Sequence, residues 1–296
     1  MNSNANIFSF NADPVWLDAQ HNNRLLVPEF MTHFENWRRD SVAARVLQPC
    51  ELDIAYGKST AEKLDIFPAR AASKARKNSN APVLVFIHGG YWRSLDKFDH
   101  SFVAPAFTKE ACVVIPNYPL CPSVTMEQLV LSQVHALIWV YRNIAKFGGD
   151  PSRITVIGHS AGGHLAAMML TCQWQKVSRD LPSDLVKNAL TLSGLHDLEP
   201  LRHSPYIASD LRLTKSQISR CSPAYFPAPR GKLVALCGAN ESSEFRRHNR
   251  LIQQSWGKLC VSICEEVPGA NHFSVLEALC SAGQRAHDLA MSLLRK

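Results

Sequence analysis

The stretch RITVIGHSAGGHLAA, residues 153 to 167, decides the fold that the sequence predicts. It opens with a short apolar run that is typical of a strand buried inside a sheet. Small and apolar residues follow from Ala161 onward, and they predict a helix. Between the two lies Gly158-His-Ser-Ala-Gly162, a G-x-S-x-G pattern that turns a strand sharply into a helix. The middle residue, Ser160, is therefore predicted to stand above the carboxyl edge of a sheet as a nucleophile.

The alternation of strand and helix continues on both sides of this stretch. Apolar or alternating runs predict further strands at 52–56, 63–67, 83–87, 111–115, 188–192, 232–237 and 261–267. Helical patterns occupy 126–147, 161–172, 245–256 and 274–294. We expect a doubly wound, mainly parallel α/β sheet in one domain spanning residues 1–296. Residues 1–45 are expected to form an N-terminal helical extension, and residues 200–228 a small helical lid.

A second motif, His88-Gly-Gly-Tyr-Trp92, directly follows the strand predicted at 83–87. Loops of this kind present backbone N–H groups to the oxygen of a tetrahedral intermediate. Glycine is used there because it lets the substrate carbonyl approach the backbone closely. We assign Gly89 or Gly90, together with Ala161, as the donors of an oxyanion hole.

The general base is chosen from twelve histidines by its place along the chain. Where the chain order is serine, acid, histidine, the base follows the last strand of the sheet. His272 lies there, between the strand at 261–267 and the helix at 274–294. His196, which follows an earlier strand, is the alternative.

The acid that orients the base is expected in the loop after the strand at 232–237. That loop contains Glu241 and Glu244 but no aspartate. We choose Glu241, because Glu244 begins the next helix and its charge is already favourable at a helix N-terminus. Asp197 is a further alternative.

Composition limits the environment and the partners of the chain. Nine cysteines, an odd number without a CxxC pair, predict free thiols in a reducing compartment, so we expect a cytoplasmic protein. The net charge of +7 raises the question of nucleic acid, but the basic run at 70–77 has no aromatic residue and is expected to be a solvated loop. No signal peptide, membrane span or metal-ligand spacing is visible. We therefore predict a small-molecule substrate as the partner, and no cofactor, metal, nucleic acid or membrane.

Several stretches together resemble the kynurenine formamidase (arylformamidase) group of α/β-hydrolases, which is related to the hormone-sensitive-lipase-like esterases. They are HGGYWRSLDK (88–97), GHSAGGHLAAMML (158–170), SGLHDLEPL (193–201), GANESSEF (238–245) and GANHFS (269–274). The resemblance covers roughly residues 50 to 296 and includes AYGKSTAEKLDIFPA (55–69). Some members of the group use aspartate as the acid, where this chain offers glutamate.

The resemblance implies an α/β-hydrolase fold and cleavage of an N-formyl group from an aromatic amine such as N-formylkynurenine. A carboxylesterase acting on short-acyl esters uses the same machinery and is the alternative function. An idle scaffold used for binding is disfavoured, because no candidate triad residue or oxyanion glycine is missing. An aryl leaving group needs an apolar wall, which we expect Tyr91, Trp92 and Phe273 to form unless they are packing residues.

Overall fold

The computed structural model describes residues 7–70 and 80–295. Arg70 is the only member of the basic run at 70–77 within these ranges. The solvated loop predicted for that run therefore lies outside the described residues.

Eight strands form one sheet in the described part of the chain. They are β1 (Glu51–Ala55), β2 (Lys63–Phe67), β3 (Ala81–Ile87), β4 (Cys112–Pro116), β5 (Gly149–His159), β6 (Val186–Leu192), β7 (Lys232–Gly238) and β8 (Ile263–Val267). Their order across the sheet is β1-β2-β4-β3-β5-β6-β7-β8. β2 runs antiparallel to both β1 and β4, and all other neighbours are parallel. The predicted doubly wound, mainly parallel α/β fold is confirmed.

Thirteen α-helices accompany the sheet within the described residues. They are α1 (Pro14–His21), α2 (Asn23–Leu26), α3 (Phe30–Leu47), α4 (Ala104–Phe107), α5 (Met126–Asn143), α6 (Ala161–Thr171), α7 (Trp174–Val177), α8 (Glu199–Arg202), α9 (Pro205–Leu211), α10 (Lys215–Cys221), α11 (Ser243–Cys260), α12 (Val275–Cys280) and α13 (Arg285–Leu294).

Both faces of the sheet are covered, and this explains the continuous apolar runs in the sequence. Along β3, Val83 and Val85 belong to the apolar core that also contains α5 and α6 side chains. Leu84 and Phe86, which point the other way, belong to the core shared with α12 and α13. A strand buried on both faces has no solvent side to carry polar residues, so its sequence does not alternate.

Two predicted helices differ from the structure. The helix predicted at 274–294 is wrong as a single element, because α12 and α13 are separate. Gly283 between them has a φ of 83°, a left-handed conformation that stops a helix and that glycine adopts at little cost. The helix predicted at 245–256 is longer, spanning Ser243–Cys260 with a break at Gly257, whose φ is 74°.

The N-terminal extension lies against the carboxyl edge of the sheet and is held there by hydrogen bonds. The Tyr91 hydroxyl donates to the carbonyl oxygen of His21, at 2.7 Å. One carboxylate oxygen of Asp18 accepts from the Ser204 hydroxyl at 2.6 Å and from the backbone N–H of Tyr206 at 2.9 Å. The extension therefore touches both the loop after β3 and the segment between β6 and β7.

The segment predicted as a lid contains α8, α9 and α10, followed by a short 3-10 helix at Pro223–Tyr225. Its role as a lid stays a prediction. All nine cysteines carry free thiols. In the described part of the chain, every helix is too short or too polar to cross a bilayer.

Seven buried histidines are held neutral by their surroundings, and this predicts acid sensitivity of the fold. Burial holds the pKa of two of them, His159 and His248, well below the usual value. Burial lowers the pKa of His21, His88, His100 and His164 to about 4, and that of His196 to about 3. The unfolded chain binds protons at these sites below about pH 6.5, whereas the folded chain does not. These histidines therefore leave the free energy of unfolding undiminished above about pH 6.5. As the pH falls from there toward 4, each of them lowers the free energy of unfolding by about 1.4 kcal/mol per pH unit.

Urea unfolding at pH 7, 6 and 5 measures this slope, and His196→Leu isolates one member of the set. Neither ring nitrogen of His196 has a hydrogen-bond partner within the described residues, so leucine removes no hydrogen bond. Between pH 6 and 5, we expect the free energy of unfolding of the variant to fall less steeply than that of the wild type, by about 1.4 kcal/mol per pH unit, which corresponds to one proton. Equal slopes in the two proteins would contradict a neutral, buried His196.

Candidate active site

Ser160 lies at the turn between β5 and α6 in a strained backbone conformation, with φ 55° and ψ −118°. The glycines of the motif are required by close backbone contacts around this turn. A Cβ on Gly158 would lie 2.0 Å from the carbonyl oxygen of Gly162. A Cβ on Gly162 would lie 1.9 Å from the carbonyl oxygen of Ile87. Larger residues would push the turn open, so the G-x-S-x-G spacing is what keeps the serine at the carboxyl edge of the sheet.

His272 and Glu241 meet at the same edge, in the loops after β8 and β7. The Nδ1 atom of His272 lies 2.7 Å from Oε2 of Glu241. The other carboxylate oxygen accepts from the backbone N–H of Gly238 at 2.6 Å and from the Ser193 hydroxyl at 2.5 Å. The Glu241 side chain is fully buried, so its charge is stabilised by these three donors instead of by water.

Ser193 is a site residue that the sequence analysis missed. It follows β6 directly and has a φ of 55°, and its backbone N–H donates to the carbonyl oxygen of Leu236 in β7. This turn aims the hydroxyl at Glu241. The available signal was positional, because β6 is the neighbour of both β5 and β7, and residues after adjacent parallel strands meet at one edge.

The alternative base and acids lie elsewhere. His196 is fully buried against Gly194, where a Cβ would lie 2.7 Å from its ring. Asp197 accepts from the Tyr225 hydroxyl at 2.8 Å and from the backbone N–H of Glu199. Glu244 is paired with Arg247 through both carboxylate oxygens. Of the candidate acids, only Glu241 is in contact with His272 among the described residues.

Ser160 and His272 line the same cavity, which opens to solvent. Their side chains are not hydrogen-bonded to each other within the described residues. Such contacts are often loose without substrate and tighten when it binds. His272 is 5% exposed and Ser160 2%, so both lie at the buried end of the cavity.

The predicted oxyanion donors lie beside Ser160. A Cβ on Gly89 would lie 3.2 Å from the Cβ of Ser160, and Gly90 lines the cavity. The Tyr118 hydroxyl donates to the carbonyl oxygens of His88 and Gly89, at 2.8 and 3.3 Å. The backbone N–H groups of Gly89, Gly90 and Ala161 have no acceptor among the described residues, so they are available to a substrate oxygen.

The side chain of His159, the residue before Ser160, contacts the backbone of His272 and helps to position it. Burial holds the pKa of His159 well below its usual value, so the ring is neutral. Its Nε2 atom lies 2.8 Å from the carbonyl oxygen of His272. A carbonyl only accepts, so Nε2 carries the hydrogen and donates it. The sequence interpretation treated His159 only as part of the turn.

Five phenylalanine, tyrosine and tryptophan residues line the cavity. Phe34, Trp37 and Phe273 are in mutual contact, with ring centroids 5.3 to 6.0 Å apart. Tyr91 and Tyr206, 6.1 Å apart, line the cavity as well. Tyr91 and Phe273 were among the predicted wall residues, whereas Phe34, Trp37 and Tyr206 were not. Phe34 and Trp37 come from α3, so the N-terminal extension supplies part of the site.

Trp92 does not belong to this wall, and its assignment as a substrate contact is corrected. Its side chain is completely buried, and its ring packs edge-on against His164 at 5.0 Å. Tyr91 and Trp92 both have positive φ, of 50° and 55°. This turn places the two neighbouring side chains in different environments, one at the cavity and one in the core.

One group of side chains within the described ranges has atoms close enough to share a metal ion. It comprises His21, Glu244 and His248, with ligand atoms within 4.8 Å of one another. Arg247 already occupies both oxygens of Glu244 at 2.7 to 3.0 Å. The Nδ1 atom of His248 accepts from the backbone N–H of His196, which leaves the hydrogen of the neutral ring on Nε2. These donors do not fit a cation as they are arranged.

Removal of divalent metal is therefore expected to leave turnover unchanged. The measurement is the initial rate before and after dialysis against a chelator, with a second portion resupplied with zinc. A loss of activity that zinc restores would contradict a site built only from Ser160, His272 and Glu241.

Comparison with known proteins shows similarity to hydrolases. A family model described as "Carboxylesterase family" matches residues 63–199. The kynurenine formamidase of Danio rerio is 28% identical, covering 89% of this chain and 88% of that protein. That of Salmo salar is 29% identical, with 90% and 89% covered. The chain has an α/β-hydrolase fold and is similar to these kynurenine formamidases over about nine-tenths of its length.

The solved structures agree with the fold of this hydrolase. A Silicibacter protein with a provisional thioesterase assignment superimposes with a TM-score of 0.80. The match is 23% identical and covers 95% of the hydrolase and 99% of that chain. At this identity the likeness supports the architecture and carries nothing about the substrate.

Proposed function

We propose that the chain hydrolyses the N-formyl group of an aryl formamide, as the name of its kynurenine formamidase relatives says of them. The observation that carries the proposal is a buried Glu241–His272 pair beside Ser160 in a cavity walled by aromatic rings. A planar aryl leaving group fits such walls, and a formyl group is the smallest acyl group that the nucleophile has to accommodate.

The first half of the reaction transfers the formyl group to the serine. The Ser160 oxygen attacks the formyl carbon while Nε2 of His272 takes the hydroxyl proton. In this proposal the N–H groups of Gly89, Gly90 and Ala161 stabilise the oxyanion. His272 then gives its proton to the amide nitrogen, the C–N bond breaks, and the aryl amine leaves.

The second half returns the enzyme to its starting state. Water attacks the formyl ester on Ser160, His272 takes a proton from that water, and the ester bond breaks. The proton passes to the serine oxygen, and formate is released. Glu241 keeps the Nδ1 hydrogen of His272 in place throughout and stabilises the imidazolium in both halves.

A carboxylesterase acting on short-acyl esters is the second candidate, and the match to the carboxylesterase family model favours it. Turnover of N-formylkynurenine and of p-nitrophenyl acetate separates the two. Esters react faster than amides without an enzyme, so each rate is divided by the uncatalysed rate of its own substrate. We expect the larger enhancement for the formamide, with release of formate. Ester cleavage without formamide cleavage would overturn the proposal in favour of the esterase.

A further inference from the structure

The charged residues that line the cavity are all positive. Within the described residues they are Arg24 and Arg93, apart from the histidines, and no aspartate or glutamate lines the cavity directly. The buried end holds Ser160 and His272, whereas Arg24 is exposed. The two arginines therefore differ from the rest of the wall in carrying a permanent positive charge.

Arg93 is occupied by its own surroundings. Its Nη1 atom donates to a carboxylate oxygen of Asp210 and, at 2.8 Å, to the carbonyl oxygen of Tyr206. Its guanidinium also lies over the Tyr206 ring, 4.6 Å from the centroid. This arginine is therefore neutralised within the segment between β6 and β7, and it ties that segment to the loop after β3.

Arg24 has no such partner. No carboxylate or carbonyl within the described residues accepts a hydrogen bond from its guanidinium. The guanidinium carbon lies 5.5 Å from the centroid of Phe30 and 5.7 Å from that of Phe34. Aromatic rings hold a guanidinium by its face, which leaves the N–H groups at its edge free. That edge is the part that binds a carboxylate through two parallel hydrogen bonds.

We propose that Arg24 binds the carboxylate of an aryl formamide that carries an amino-acid tail, and that it makes the cavity select substrates with this carboxylate. This inference rests on the proposed function, because it concerns the end of the same substrate that lies farthest from the formyl group. In this proposal the formyl group lies at the buried serine, the aryl ring lies between the aromatic walls, and the carboxylate of the tail reaches the exposed mouth. Arg24 is then a specificity residue and takes no part in the bond-breaking steps.

The test compares two substrates that share the reacting end. N-Formylkynurenine carries the amino-acid tail, and 2-formamidoacetophenone has the same aryl ketone without it. The quantity measured is the ratio of their kcat/KM values in the wild type and in Arg24→Gln. We expect the ratio to fall about tenfold in the variant, a moderate value because the site is exposed and partly screened. Added salt is expected to lower the ratio in the wild type more than in the variant.

Arg39→Gln is the matched control, since it removes one positive charge from α3. Arg39 is 68% exposed, is paired with Asp40 and does not line the cavity. Its ratio is expected to equal that of the wild type. If the wild type hydrolyses both formamides and Arg24→Gln keeps the ratio, the Arg24 assignment is overturned and the proposed function stands. If the wild type hydrolyses neither, the proposed function fails, and this assignment fails with it.

Discussion

Replacement of Ser160 with alanine is expected to reduce turnover to below roughly 1% of wild type, because a triad nucleophile contributes several orders of magnitude to the rate. In the proposed mechanism the hydroxyl oxygen forms the acyl intermediate, and the turn at φ 55° places Ser160 in the wall of the cavity that His272 also lines. Activity is measured with both the formamide and the ester, because the two candidate functions share this step.

Two controls separate lost chemistry from lost structure. Ser152→Ala changes an exposed serine near the opposite end of β5 and is expected to keep full activity. A fluorophosphonate probe is expected to label the wild type and Ser152→Ala, but not Ser160→Ala. Residual turnover well above 1% in a folded Ser160→Ala protein would remove Ser160 from the mechanism.

The second large effect is expected at the acid. Glu241→Gln keeps the shape of the side chain but removes its charge, and its amide group presents N–H donors where Oε1 or Oε2 now accepts. Those oxygens accept from Ser193, Gly238 and His272. We expect a loss of about 10²-fold or more in kcat, since a base without its acid is held in the wrong tautomer. Turnover and thermal unfolding are measured on the same preparation.

Glu244→Gln is compared with Glu241→Gln, and the structure predicts that it affects stability more than turnover. From the sequence, Glu244 was only a favourable charge in the first turn of a helix. In the structure it is 1% exposed and paired with Arg247, so its loss leaves the partly buried guanidinium with only the more distant carboxylate of Asp197, at 3.6 Å. We expect a lowered melting temperature and, below it, at most a few-fold change in turnover. A larger loss of turnover in Glu244→Gln than in Glu241→Gln would contradict the choice of acid.

The parts of the molecule that the sequence predicted well are those fixed by local chain geometry. The position of Ser160 at a sharp turn could be predicted because a strand, two glycines and a helix in immediate succession allow few arrangements. The positions of His272 and Glu241 could be predicted because the ends of successive parallel strands share one edge of the sheet. The strand predicted from residue 153 begins earlier in the structure, because β5 starts at Gly149. Its first residues are mostly polar, whereas the prediction followed the apolar run.

The parts that could not be predicted depend on contacts between distant residues. Trp92 and Tyr91 are adjacent and both aromatic, and only the turn that they form decides which one faces the cavity. Phe34 and Trp37 belong to the predicted N-terminal helical extension, but nothing in their spacing says that Phe273 is their partner. The separation of α12 from α13 could have been predicted, because Gly283 is typical of the end of a helix. The prediction of one helix followed the apolar periodicity across this glycine instead.

The N-terminal extension has a consequence for how such enzymes diverge. Residues 23 to 37 provide Arg24, Phe34 and Trp37 to the cavity, yet they precede the stretch matched by the carboxylesterase family model, which begins at residue 63. The proposed reacting groups and part of the cavity wall therefore lie in separate portions of the chain. We expect that exchange of the residues before β1 between relatives alters substrate preference more than it alters the acyl-transfer steps.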